Sequence, residues 1–217
     1  MGIEKNPADF LPSDVEAVVA SEWNYAARYN RQSEPRAILL AGQPGAGKTV
    51  LSSMLNKLLC GNVYFINADE YRRFHPNYKE LYARYGSDSV QMTSGFSGAV
   101  TERLIHETSE RGIHLIIEGT GRTTDVPHRT AELLVKKGYR VELAVIATRP
   151  EHSLCSTLLR FYEMNERGTI PRATAMEAHD YVVRVLPDNL DILRDDPVIS
   201  GITIWDRTPT KIYDSCG

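Results

Sequence analysis

The chain is 217 residues long, 42% hydrophobic and 24% charged, with a formal net charge of −3. Those values fit one soluble globular domain (1–217) with a sizeable core. The mild acidity argues against a nucleic-acid surface, and no apolar run approaches the roughly 18 residues of a membrane span. The polar start, residues 1–13 with Pro7 and Pro12, does not read as a signal segment, so the expected location is the cytoplasm. Cys60, Cys155 and Cys216 are scattered, without C-x-x-C or histidine at metal spacing; they read as reduced thiols rather than a disulfide framework or zinc site.

Residues 1–35 form an N-terminal extension. Ser13-Asp14-Val15-Glu16 reads as a helix start, Ser13 as N-cap and Glu16 three residues on, with Val15, Val18, Val19 and Trp23 along one side. That helix either packs on the sheet or docks on a partner chain. Pro35 leads into an apolar strand at 37–41, and Gly42-Gln43-Pro44-Gly45-Ala46-Gly47-Lys48-Thr49 then matches G-x-x-x-x-G-K-[ST], opening a helix near Lys48. A second strand is expected at 63–67. A polar, tyrosine-rich stretch follows to residue 89, where Arg72, Arg73 and His75 either contact the phosphates of an acidic substrate or, on the plainer reading, are exposed charges. The segment 91–98, with Gly95 and Gly98, reads as a loop before a helix at 98–111.

Further on, strands are expected at 113–117 and 139–147, helices at 126–137, 153–166 and 174–194, and a last strand at 202–206. Thr174-Ala175-Met176-Glu177 has the form of a capping box, and Pro187 is expected to kink or divide its helix. Trp23 and Trp205 are expected in the core. Strands alternating with helices predict an α/β fold, a doubly wound, mainly parallel sheet of the P-loop kinase type.

In such sheets ligands sit beyond the carboxyl ends of the strands. After the first strand, the amides of Gly42, Gln43, Pro44 (by position only, since proline lacks one), Gly45, Ala46, Gly47, Lys48 and Thr49 would cradle the phosphates of ATP. Lys48 would reach the β/γ-phosphates and the Thr49 hydroxyl would hold Mg²⁺. After the second strand stands Asp69, either the carboxylate that takes a hydroxyl proton or a helix N-cap. After the third stand Glu118 and Thr120. Glu118 is a Walker-B-like carboxylate, a ligand of acceptor hydroxyls, or simply the partner of Arg122. Arg160 and Arg172 occupy the place of a kinase lid, where arginine neutralises the transferring phosphoryl group; the alternative is a solvated face with Glu163 and Glu166. Glu102 is either a surface residue or a substrate contact.

Four stretches together carry a resemblance. They are the P-loop itself, Asp69-Glu70-Tyr71-Arg72 with His75-Pro76, Ile117-Glu118-Gly119-Thr120-Gly121-Arg122-Thr123-Thr124-Asp125-Val126-Pro127, and Pro171-Arg172-Ala173-Thr174 with Ala178-His179-Asp180. Over residues 37–213 the chain resembles the zeta toxins, P-loop kinases of bacterial toxin–antitoxin systems. The resemblance implies transfer of the ATP γ-phosphate to the 3′-hydroxyl of the sugar in UDP-N-acetylglucosamine, which blocks peptidoglycan synthesis. It implies Asp69 as base, Lys48, Arg160 and Arg172 on the transferring phosphate, and Thr49 on Mg²⁺. Glu102, Glu118, Thr120 and Thr130 would line the sugar-nucleotide pocket, and an antitoxin would cover the ATP site. Two departures stand out: Asn67 replaces the acidic residue the family often has there, and the segment around Arg160 aligns only with a small shift. The other readings are a P-loop kinase for a different small acceptor, such as another UDP-sugar, a nucleoside or an antibiotic, and a nucleotide-dependent binding module.

Overall fold

A computed structural model describes residues 6–171 and 173–215. Its centre is a six-stranded sheet of order β2-β3-β1-β4-β5-β6, made of β1 (Arg36–Ala41), β2 (Val63–Asn67), β3 (His114–Glu118), β4 (Arg140–Ile146), β5 (Gly201–Trp205) and β6 (Lys211–Asp214). All neighbouring pairs are parallel except β5 with β6. The apolar run of β1 is buried from Ala37 to Ala41, as a central parallel strand covered on both faces requires.

Alternation along the strands splits the core in two. Leu39, Leu115, Ile117, Leu143 and Val145 face one layer of helices, while Ile38, Leu40, Ile116, Ala144 and Ile146 face α2 (Lys48–Leu58) through Leu51 and Leu55. Full burial of a side chain such as Leu51 contributes about 1.5–3 kcal/mol. Trp205 belongs to this second core.

The first layer includes α1 (Pro12–Ala26), whose Val15, Val18, Val19 and Ala26 are buried and which packs on α6 (Ser94–Glu110). The helix starts at Pro12, not Ser13. Proline suits the first helical turn, and the Leu11 amide donates to Asp14 Oδ2 at 2.7 Å. Glu16 instead pairs with Arg103. Trp23 is only half-buried, under the Arg111 guanidinium at 4.6 Å. Tyr64 on β2 donates its hydroxyl to Glu22 Oε2 at 2.7 Å, fastening α1 to the sheet edge.

The polar stretch after β2 is helical almost throughout: α3 (Ala68–Tyr71), a 3₁₀ turn (Arg72–Phe74), α4 (Tyr78–Tyr85), a second 3₁₀ turn (Gly86–Asp88) and α5 (Ser89–Met92). The expected loop at 91–98 is not a loop, because α6 already begins at Ser94. Gly95 and Gly98 cost about 1 kcal/mol each in a helix, and burial of Phe96, Val100 and Leu104 at four-residue spacing outweighs that.

Past β3 come α7 (Asp125–Lys136), α8 (Pro150–Glu166) and α9 (Met176–Arg194). One expectation fails in α9: its N-cap is Ala175 with no side-chain hydrogen bond, so Thr174 forms no capping box. Pro187 does not divide the helix, which runs on past it to Arg194 with the proline exposed. The added strand β6 was not legible, since its residues are mostly exposed and show no alternation. Asp206 shapes the turn before it, accepting at Oδ1 from the amides of Thr208 and Thr210, each at 2.8 Å. Cys60 and Cys155 are exposed free thiols, and Cys216 lies outside the described residues. No helix among the described residues is long and apolar enough to cross a membrane.

Candidate active site

The loop between β1 and α2 wraps the N-terminus of α2, where unpaired helix amides favour an anion. Gly45 has φ +76°, and a Cβ there would run into the Ser153 carbonyl. Gly47, the N-cap of α2, has φ +107°. Both positions therefore require glycine, and the cradle they form is backbone throughout. Gln43 turns its side chain away from the cradle, donating through Nε2 to Thr148 O at 2.6 Å.

Lys48 is only 9% exposed. Its ammonium donates to Gly42 O at 2.8 Å and Gln43 O at 3.3 Å, and stands 3.9 Å from Glu118 Oε1. Burial pushes the ammonium below its ordinary value; Glu118 and Asp69 pull it back up, and the Arg160 guanidinium adds to the lowering. Three residues singled out in the sequence thus act electrostatically on a fourth, Lys48. The buried ammonium is retained because two carboxylates face it.

Strand register supplies the acceptor side. Glu118 lies opposite Leu40 on one side and Asn67 on the other, so the ends of β1, β2 and β3 meet. Asn67, not Asp69, is the N-cap of α3. Its Oδ1 accepts from the Asp69 amide at 3.0 Å, and its Nδ2 donates to Glu118 Oε2 at 3.1 Å. That removes the N-cap reading of Asp69, whose side chain is 51% exposed and accepts from Arg72 Nε at 2.9 Å. Glu118 pairs with Lys48 and Asn67, not with Arg122, which is exposed. The loop after β3 lies against the phosphate loop: Gly119 N donates to Leu40 O at 2.8 Å and Gly42 N to Thr120 O at 3.4 Å.

Two of the expected exposed charges are otherwise employed. Arg72 is half-buried, with Nη1 donating to Val90 O at 2.6 Å, so α5 holds the guanidinium that holds Asp69. His75 is 3% exposed, edge-on to Phe10 and Phe96, and anchors the segment before α1 through Ala8 O at 3.2 Å. Thr49 is exposed on the first turn of α2, and Arg160 is half-buried on α8. Glu102 is exposed on α6, which packs on the Asp69-bearing α3, and Thr130 is half-buried on α7. Among the described residues no hydrogen bond or ion pair joins either to the cluster. Arg172 lies outside the described residues.

A family model described as Zeta toxin matches residues 20–217. This chain belongs to the zeta toxin family. Toxin PezT of Streptococcus pneumoniae serotype 4 is 42% identical over 209 residues, which span 95% of this chain and 83% of PezT. Toxin zeta of Streptococcus pyogenes is 41% identical over 182 residues, 83% of this chain but only 63% of that protein's length. Among solved structures, one from the PezAT chromosomal toxin–antitoxin system of Streptococcus pneumoniae superposes with a TM-score of 0.88 at 38% identity, covering 98% of this chain and 84% of that one. The AvrRxo1-ORF1:-ORF2 complex with ATP shares the fold alone, with a TM-score of 0.61 at 17% identity over 95% of this chain and 68% of that one.

Within this zeta-family fold, Asn67 and Arg72 are the site residues that sequence reasoning did not assign. Their signals were local: an asparagine two positions before a helical aspartate, and an arginine three after it.

Proposed function

We propose that this protein is a phosphotransferase that moves the γ-phosphate of ATP to the 3′-hydroxyl of the sugar in UDP-N-acetylglucosamine, acting as the toxin of a cytoplasmic toxin–antitoxin pair. One observation carries the reading: a buried lysine at the head of a glycine cradle shares a field with Asp69, Glu118 and Arg160, which come from three further elements. The likeness to PezT and toxin zeta supports the toxin role and the antitoxin partner. A protein whose product blocks peptidoglycan synthesis needs such a partner while it is made.

The cradle fits a triphosphate, because Gly45 and Gly47 leave its floor free of side chains. The Thr49 hydroxyl has the hard oxygen chemistry that suits Mg²⁺, which when bound would neutralise charge on the β- and γ-phosphates. Lys48 exchanges its two loop carbonyls for phosphate oxygens, a strong contact in a desolvated site. Asp69 accepts the proton of the attacking hydroxyl as the new O–P bond forms and the bond to ADP breaks. Arg72 holds that carboxylate in place. Arg160, with Arg172, neutralises the phosphoryl oxygens, a contribution of up to roughly 10³–10⁵-fold in related chemistry. Glu102, Glu118, Thr120 and Thr130 orient the sugar nucleotide.

The test is mass spectrometry and NMR of the product formed from ATP, Mg²⁺ and UDP-N-acetylglucosamine. A single phosphate on the 3′ oxygen is the expected outcome. Rapid use of another acceptor, with this one untouched, would keep the phosphotransfer and replace the substrate. ATP binding with no acceptor consumed across a panel of sugar nucleotides, nucleosides and antibiotics would reduce the protein to a binding module.

A further inference from the structure

His179 and Asp180 belong to a stretch that the phosphotransfer mechanism leaves without a role. His179 lies near the start of α9 and is fully buried, as is Ser153 in the first turn of α8. Ser153 Oγ is 2.7 Å from His179 Nε2, and His179 Nδ1 is 2.8 Å from Asp180 Oδ1. On its other side Ser153 Oγ accepts from Gln43 Nε2 at 3.4 Å, the amide that also donates to Thr148 O at 2.6 Å. A continuous polar chain therefore runs from the outer end of α9, through α8, to the second residue of the phosphate loop.

The direction of each bond follows from donor chemistry. An ionised carboxylate only accepts, so in the neutral imidazole Asp180 keeps the proton on Nδ1 and leaves Nε2 as an acceptor. Among the described residues, the hydrogen bond at Nε2 is the one to the Ser153 hydroxyl, which then supplies the hydrogen. Ser153 has a second acceptor in Pro150 O at 2.9 Å, and His179 draws its hydrogen away from that carbonyl. The serine lone pairs then face Gln43. A Ser–His–Asp order also occurs in acyl-transfer enzymes, but a fully buried Ser153 admits no substrate carbonyl. Its role is to transmit position.

The chain meets the loop where position matters. Gln43 contributes one of the two carbonyls that hold Lys48, and the backbone of Ser153 lies directly under Gly45. Thr148, beside Gln43, donates through Oγ1 to Ala46 O at 2.7 Å. The segment from β4 into α8 is thus the wall against which the cradle is shaped, and His179 locks that wall from behind. We propose that His179 is a positioning residue for nucleotide binding, acting through Ser153 on the Gln43 corner of the phosphate loop. This rests on the phosphate loop being a nucleotide site, but on no particular acceptor.

The test is calorimetry of the full chain with a non-hydrolysable ATP analogue and Mg²⁺, with steady-state kinetics where an acceptor is turned over. His179→Leu is expected to weaken analogue binding about tenfold, and to raise KM for ATP by the same factor while KM for the acceptor holds. His179→Gln, which keeps a polar atom near the Nε2 position, is expected to restore affinity to within about threefold. Ser153→Ala, a smaller change should the leucine variant fold poorly, is expected to weaken binding in the same way. In a Gln43→Leu background, His179→Leu should add little further loss. Wild-type protein that ignores the analogue would overturn the nucleotide-site reading and this assignment with it. Wild-type binding with unchanged affinity in both His179→Leu and Ser153→Ala would overturn the relay alone. Loss of melting temperature and active fraction in His179→Leu, at unaltered affinity per folded molecule, would also overturn it.

Discussion

The side-chain amide of Asn67 lies between the two carboxylate-bearing positions of the site, donating to Glu118 Oε2 at 3.1 Å and accepting from the Asp69 amide at 3.0 Å. One neutral group therefore sets both the start of α3 and the orientation of Glu118. Asn67→Ala is expected to lose about 1 kcal/mol of stability, the usual worth of a side-chain cap. Asn67→Ser keeps a capping oxygen without setting a second carboxylate against Glu118, and should hold stability closer to wild type. Denaturant unfolding of the three proteins checks this; equal losses in both variants would remove the cap from the account.

Lys48 combines burial with charge. Because burial lowers its pKa from 10.5, the folded chain holds fewer protons than the unfolded chain between the lowered value and 10.5. Stability attributable to this group therefore rises with pH through that window and is at its least favourable below it. Lys48→Met is expected to abolish phosphotransfer without lowering stability near neutral pH. The stability gap between Lys48→Met and wild type should shift toward wild type as pH rises, as measured by unfolding at several alkaline values.

In the proposed mechanism Asp69 is the base and Arg72, 2.9 Å from its carboxylate, is what places it. Asp69→Asn is expected to cut the transfer rate by roughly 10²–10⁴-fold with ATP affinity intact. Arg72→Ala should cost less, since it frees the carboxylate without removing it, and should also loosen α5 through the lost bond to Val90 O. Rapid-quench turnover beside equilibrium nucleotide binding separates the two. Intact transfer in Asp69→Asn would rule out Asp69 as the base.

The loop after β3 is held from outside by α9. Gly121 has φ +73°, and a Cβ there would stand 2.5 Å from Leu186 Cδ1, while Asn189 Nδ2 donates to Gly121 O at 2.9 Å. Gly121→Ala is expected to destabilise by about 1–2 kcal/mol through the left-handed backbone, and more if Leu186 cannot move. In the double variant with Leu186→Ala the total loss should fall short of the sum of the two single losses.

Local pattern alone determined the five parallel strands, the phosphate loop with Lys48 and Thr49, and the strand-end positions of Asp69 and Glu118. Apolar runs, glycine spacing and strand–helix alternation are properties of neighbouring residues, so they can be read without knowing what packs where. The tertiary structure alone decided which charges meet. Glu118 faces Lys48 and Asn67 rather than Arg122 because β3 sits between β1 and β2 in one register. The helix through Gly95 and Gly98 exists because Phe96 and Val100 are buried, and His75 is a core residue because Phe10 and Phe96 close around it. In each case burial across distant segments outweighed local propensity, and burial is a property of the packed chain.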